Sequence, residues 1–367
     1  MSKVKHPDHY NRGSIEVWDF IADHDLNFFE GNIVKYITRW KTKNGLEDLL
    51  KVKEYVDLIL VYNKIMKFNT VNIKDPLAMS REAKRLGKKM ISNSQIKTYT
   101  QCNHKWKTMY IDGNKEYSQS IFFTFGTAMH ETLQHFLSVM YDDTAKAAEA
   151  IDLPKLLKEN MHIAYTTAVK RNKGEHFTNK FDLEDIYKQG VSILEEFVKK
   201  RGSYFSKKNC ELLGIEIPIL VESDVNPNIM IGGFLDIVMK EHDKIKIYDI
   251  KTSYKTWDKK KKKDGSFQLR LYKKYFAKQY DVKEDDIEIE FFIVKRMIYE
   301  NSDFPQSRIQ QFNPASGKPT MTKTANVVND FISSVFNKDG SYNIDRKYEA
   351  TAGIKGHNCK YCPFKTN

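Results

Sequence analysis

The apolar positions of this chain change period along its length. From Ile231 to Lys240 the residues run Ile-Gly-Gly-Phe-Leu-Asp-Ile-Val-Met-Lys, and from Ile245 to Thr252 they run Ile-Lys-Ile-Tyr-Asp-Ile-Lys-Thr. Short runs rich in β-branched residues predict two strands. Just upstream, Gly214-Ile-Glu-Ile-Pro-Ile reads as a third strand; Glu216 on it could face the site, but a solvated strand residue is the expectation. The spacing of Met129, Leu133, Phe136 and Leu137 is helical instead, and Gln268 and Tyr272 stand four apart on one face of a further helix.

The N-terminal part has its own pattern. Ile15, Val17, Trp18, Phe20 and Ile21 predict a first amphipathic helix with Ser14 as its N-cap, and Ile33, Tyr36, Ile37 and Trp40 predict a second. Asn44-Gly45 breaks the periodicity, after which Leu46, Leu49, Leu50, Val56, Ile59, Leu60 and Met66 fit a long third helix. A polar, basic stretch follows. The pattern divides the chain into a small all-α domain over residues 1–70, a basic linker over 71–90 and a main α/β domain over 91–367 with a cysteine-containing tail.

Composition narrows the class. The chain has 367 residues, enough for two domains, and 13% aromatic residues, which fit a packed globule rather than disorder. Lys plus Arg number 60 against 48 Asp plus Glu, a formal charge of +12 that favours a polyanionic partner, nucleic acid before membrane. Residues 1–20 carry no apolar signal core, and no run of about 18 apolar residues predicts a membrane span. A soluble, cytoplasmic protein is the expectation.

Chemistry concentrates in the predicted strand pair. Strand side chains alternate faces, so Asp249 and Lys251 project together while Ile250 points away. Two acids, Asp236 and Asp249, and a lysine at a buried sheet edge are costly unless paired. A hard divalent cation, Mg²⁺ or Mn²⁺, would neutralise the acids and could polarise a phosphoryl oxygen. A solvated hairpin with surface charges is the plain alternative, and Gly232-Gly233, which admits a close neighbour, argues for the site. The five lysines Lys259–Lys263 are expected as a loop between the second strand and the Gln268 helix, where Lys259, Lys260 and Lys261 could meet DNA phosphates.

The order of these residues resembles the PD-(D/E)XK nuclease superfamily, and within it the RecB-type and CRISPR-adaptation-like exonuclease domains. Gly126-Thr-Ala-Met-His130, Gly233-Phe-Leu-Asp236, Asp249-Ile-Lys251-Thr252 and Gln268-Leu-Arg-Leu-Tyr272 follow one another as the family's motifs do. The resemblance implies a restriction-endonuclease-like core of order αβββαβ, a mixed sheet flanked by helices. It also implies metal held by His130, Asp236, Asp249 and the Ile250 carbonyl, with Lys251 catalytic, and Gln268 and Tyr272 on the DNA or orienting the lysine. The implied activity is a Mg- or Mn-dependent deoxyribonuclease, acting from an end rather than internally.

Cysteines stand at 102, 210, 359 and 362. In an intracellular protein, metal ligation is a better first reading than disulfides. Ser94-Gln-Ile-Lys-Thr-Tyr-Thr-Gln-Cys102 resembles the segment that opens iron–sulfur members of the RecB-type group, where one early and three late cysteines hold a [4Fe–4S] cluster. Here only Cys359 and Cys362 are late, so a cluster, a structural zinc and free thiols are three open readings. The N-terminal residues His9, Asn32, Lys35, Arg39, Glu47 and Asp48 lie in a pattern similar to a small helical domain of bacteriophage proteins, some of whose members are described as nucleotide kinases. That likeness implies phage recombination or replication proteins as partners, and a nucleotide-binding or phosphotransfer role as a rival function. A DNA-binding module with an inactive nuclease site is the non-enzymatic rival. The intact acid and lysine set argues against it.

Overall fold

The computed structural model describes residues 14–24, 26–70, 76–114, 119–205, 208–299, 303–304, 306–353, 359 and 362–364. The chain divides into two compact units, Met1–Asn72 and Ile73–Asn367. Among the described residues no helix is long and apolar enough to cross a membrane.

The first unit is helical: α1 (Val17–Asp23), α2 (Phe28–Arg39) and α3 (Leu46–Thr70). The N-cap of α1 is Glu16, not Ser14, because the Glu16 carbonyl accepts the first helical N–H, from Phe20 at 3.0 Å. A capping box starts α2. The Asn27 side chain accepts from the Phe29 and Glu30 N–H groups, and Glu30 accepts from the Asn27 N–H in return. At its end the Arg39 guanidinium forks onto the buried Asp48 carboxylate (3.0 and 3.2 Å), which also accepts from Asn44. Glu47 pairs with Lys51, and Asn32 donates to the Phe28 carbonyl. Of the polar residues considered for nucleotide binding, Arg39 and Asp48 thus join α2 to α3, and Asn32 and Glu47 make contacts within their own helices; His9 lies outside the described residues.

The second unit is α/β. It runs α4 (Pro76–Arg85), β1 (Lys89–Ile91), α5 (Asn93–Gln101), α6 (Asn103–Tyr110), α7 (Ile121–Asp142), α8 (Ala145–Glu149), α9 (Leu153–Arg171), α10 (Lys180–Tyr204), β2 (Cys210–Glu222), β3 (Ile229–Glu241), β4 (Lys244–Ser253), α11 (Lys259–Tyr280), β5 (Ile287–Lys295), β6 (Ile309–Phe312) and α12 (Lys318–Val335). In chain order α7, β2, β3, β4, α11 and β5 give αβββαβ, with α8–α10 inserted after the first helix. The sheet is mixed: β2, β3 and β4 are antiparallel neighbours, β4 and β5 run parallel, and β6 returns antiparallel to β5. One face carries α7, α9 and α10 over Ile237, Met239, Tyr248, Ile250, Phe292 and Val294. The other carries α11, which packs on β2 to β5 and on α12.

Two segments depart from the sequence expectations. Residues 71–90, expected as a linker, include α4 and the start of β1. Met79 and Ala83 are buried, and β1 pairs parallel with β3 from Lys89↔Ile229 to Ile91↔Ile231. Lys259–Lys263, expected as a loop, form the first turn of α11. Asp258 caps that turn by accepting the Lys261 N–H at 2.8 Å, and lysine is a good helix former.

The C-terminal part is tied to the start of this unit by aromatic packing. Trp106 of α6 is fully buried, with ring centroids of Tyr99, Tyr110, Phe331, Tyr342 and Tyr348 between 5.6 and 5.8 Å away. The backbone follows it, His104 donating to the Glu349 carbonyl at 3.2 Å. Replacing Trp106 by Ala should therefore cost about 3–5 kcal/mol. Denaturant unfolding of the full chain measures it, and a loss below about 1 kcal/mol would show that this cluster is not a structural anchor.

Candidate active site

The site lies where two strands part. β3 pairs with β2 along one edge from Met230 to Glu241. Its other edge is shared by β1, at Ile229–Ile231, and by β4, whose ladder ends at Ile237↔Tyr248. Residues 232–236 therefore lie between two partners on that edge. Here the Asp236 carboxylate takes over the ladder's role and accepts the Ile250 N–H at 2.7 Å. Gly233 faces the same gap, and a Cβ there would fall 2.9 Å from the Tyr272 ring.

β4 and α7 bring the remaining groups. Lys251 Nζ stands 2.5 Å from Asp249 Oδ2, so the two side chains share a face of β4. From α7, His130 Nδ1 approaches Asp236 Oδ2 at 3.4 Å. One turn earlier Gly126 passes β4 so closely that a Cβ would meet Thr252 Oγ1 at 3.2 Å. From α11, the Gln268 amide donates to Asp249 Oδ1 at 2.8 Å and lies 3.3 Å from the Tyr272 hydroxyl. Gln268 thus fixes Asp249 rather than Lys251, and Tyr272 is buried behind it. The Asp249 side chain is 2% exposed and that of Asp236 14%, whereas His130 and Lys251 keep 25% and 30%.

The electrostatics follow from burial. Burial first, and the Lys251 charge second, lower His130 to about 4, so the imidazole is neutral at physiological pH. Burial raises Asp236, and it raises Asp249 to about 6 despite the opposing Lys251 charge. Burial disfavours the Lys251 ammonium, but Asp249 and Asp236 outweigh it and raise the lysine, which stays protonated. It can stabilise negative charge and cannot serve as a base at neutral pH.

Glu216 belongs to this cluster, contrary to the solvated position expected for it. It stands in register opposite Asp236, between the pairs Ile215↔Ile237 and Ile217↔Leu235, just after an irregularity at Leu212/Gly214. Its backbone lies in the left-handed region, φ +52°, a conformation that costs a non-glycine residue about 1–2 kcal/mol. Gln134 of α7 clamps the pair, donating to Glu216 Oε1 at 2.6 Å and to the Asp236 carbonyl at 3.1 Å. Burial, with the neighbouring Asp236, raises Glu216 to about 7.

A hard divalent cation fits this donor set. It comprises carboxylates and a neutral imidazole, and the buried Asp249 Oδ2 makes no hydrogen bond, its contact with Lys251 being an ion pair. Among the described residues no three His, Cys, Asp or Glu side chains already stand in a ligating group. Asp236 is turned to the Ile250 N–H and Asp249 to Lys251 and Gln268. Outside this centre, Lys259, Lys260 and Lys261 are exposed, and Lys261 Nζ reaches Ser253 Oγ at the end of β4 (2.9 Å). Lys97 and Lys263 line a cleft of about 280 Å³ with Gln268. Cys102 Sγ accepts the N–H groups of Lys105 (3.5 Å) and Thr351 (3.4 Å), while Cys359 and Cys362 share a turn; the described geometry does not bring these three sulfurs into one ligating group.

Comparison with known families agrees with the geometry. A sequence model described as the PD-(D/E)XK nuclease superfamily matches residues 90–366. A second, described only as a protein of unknown function (DUF3310), matches residues 4–57, with no nucleotide-kinase description attached. No curated protein matches the chain.

The raised Glu216 carboxyl has a consequence for stability. In the unfolded chain a glutamate titrates near about 4.3; in the fold it binds its proton up to about 7. The stability it contributes is fully present below the unfolded value and is lost as pH rises through about 7. In EDTA, the Glu216 contribution to the melting temperature of the wild type should fall from about pH 4.5 to about pH 7 and level off above it, and Glu216→Gln should flatten that fall. Identical slopes for the two proteins would remove Glu216 from the account.

Proposed function

The chain belongs to the PD-(D/E)XK nuclease superfamily, and from that premise we propose that it is a Mg²⁺- or Mn²⁺-dependent deoxyribonuclease acting from DNA ends. The observation that carries this reading is the convergence of Asp236, Asp249, Lys251 and His130 at the gap between β3 and β4. Asp236, Asp249, His130 and the Ile250 carbonyl would hold the ion. When bound, it would polarise a phosphoryl oxygen and lower the pKa of a bound water. Lys251, kept as an ammonium by the two acids, stabilises charge that develops on the phosphate. Gln268 holds Asp249 in place, and Tyr272 backs Gln268 against Gly233. The exposed Lys259, Lys260 and Lys261, with the formal charge of +12, favour a phosphodiester backbone alongside the site. Attack from an end rests on the RecB-type order of the motifs.

The test uses end-labelled linear DNA and covalently closed circles, with Mg²⁺, Mn²⁺ or EDTA. Metal-dependent loss of linear DNA alone is expected, reduced on the order of 10²–10³-fold in Lys251→Ala and abolished in Asp249→Ala. Cutting of circles would make the enzyme an endonuclease. Intact linear DNA in the presence of either metal would overturn the reading.

A structural metal held by Cys102, Cys359 and Cys362 is part of the same proposal, supported by the tail's return to Cys102 at Thr351. The purified protein should carry iron or zinc near one equivalent or one cluster, diminished in Cys102→Ala. Colourless, metal-free protein that retains cleavage would discard it.

A further inference from the structure

Four residues of α7 recur every fourth position, Phe122, Gly126, His130 and Gln134, and so share one face of the helix. Their contacts follow a single line across the sheet. Gln134 reaches Glu216, His130 reaches Asp236, and Gly126 abuts Thr252. Phe122 ends the line at the guanidinium of Arg296, whose Cζ lies 4.3 Å from the ring centroid. The face that carries the candidate metal ligand His130 therefore runs outward to an aromatic ring.

That ring is one of a group. Arg296 also lies 5.3 Å from the Tyr254 ring, so the guanidinium is shared by two aromatics. Backbone bonds lock this arrangement to the end of β4. Arg296 donates to the Ser253 carbonyl at 2.9 Å and Met297 to the Tyr254 carbonyl at 2.8 Å, immediately after Lys251 and Thr252. Yet the two rings are uncovered: Phe122 is 53% exposed and Tyr254 55%. Two large aromatics left in water beside a charged site are costly.

Their chemistry selects an occupant. Aromatic faces stack on nucleobases whatever the sequence, and an arginine between them attracts the phosphates that join those bases. A base inside a duplex has both faces covered and cannot stack on a protein ring; an unpaired base can. Eight residues separate Phe122 from His130, about 12 Å along the helix axis. That is about three to four nucleotides at the about 3.4 Å rise of a stacked strand.

We propose that Phe122 and Tyr254, with Arg296 between the rings, form a stacking platform that captures the unpaired bases of a single-stranded DNA end and leads them to the gap between β3 and β4. The platform rests on the nuclease reading for its purpose, and its test does not depend on cleavage.

Binding is measured in EDTA with the full chain, using a labelled oligothymidylate and a blunt duplex of the same length. The wild type should bind the single strand. Phe122→Ala with Tyr254→Ala should weaken that binding about tenfold or more and leave the blunt duplex nearly unchanged, while Phe122→Trp with Tyr254→Trp retains it. Unchanged single-strand affinity in the alanine pair, equal loss on both DNAs, failure of the tryptophan pair to retain binding, or no single-strand binding by the wild type would each overturn the platform. A chain that binds single strands through these rings and cleaves nothing keeps the platform and loses the nuclease reading. Cleavage with single-strand affinity indifferent to the rings does the reverse.

Discussion

The second unit is organised around one hydrogen bond, from the Ile250 N–H to the Asp236 carboxylate. Strand β4 leaves β3 after Tyr248 while its other edge keeps pairing with β5 through Ser253. A backbone N–H released inside a sheet is expensive unless something accepts it. Asp236 accepts it and thereby fixes a carboxylate in the split. The split exposes the next residues of β4 from both faces of the sheet, so α7 can contribute His130 from one side and α11 can contribute Gln268 from the other. Loss of that bond would let the strands close or part further, and either change would scatter the acids.

Charge balance at the split is as constrained as its geometry. Glu216, Asp236 and Asp249 meet a single ammonium, Lys251, in a place where burial disfavours every charged form. The imidazole offers no relief, since burial and Lys251 keep it neutral. Without a cation, protons must hold the acids together; a divalent ion would replace those protons. Glu216 sharpens the point, because it stands directly opposite Asp236 in a strained left-handed backbone, and like charges in that relation repel.

The strand pair from Ile231 to Thr252 could be read from its residues because its alternation is local, and β3 and β4 occupy that span. The αβββαβ order followed from the motifs. What escaped was set by tertiary structure. Strand β1 is three residues long and is a strand only because β3 lies beside it, some 140 positions later in the chain. The lysine run looked like a loop because its composition is solvent-like; the signal that could have corrected it was Asp258 three residues before Lys261, an N-cap spacing. Glu216 looked like an ordinary outward residue because period-two reading assumes an unbroken ladder, and an irregularity at Leu212/Gly214 breaks it. The role of Trp106 was open to notice in Trp106 and Tyr110, four apart on one helix, but their partners Tyr342 and Tyr348 come from the far end of the chain.

The first turn of α11 has a property of its own. A helix start carries a partial positive charge from its unpaired N–H groups, and acids are the residues that suit it. Here Asp258 is followed by five consecutive lysines, so the turn works against its own dipole. The repulsion is partly relieved where Lys261 reaches Ser253 Oγ and Lys262 lies over the Phe312 ring. The beginning of the helix that holds Gln268, and through it Asp249, is therefore the part of that helix most in need of a counter-ion. An arriving polyanion would supply that counter-ion about two turns ahead of Gln268, at the end of the helix where its own lysines repel one another.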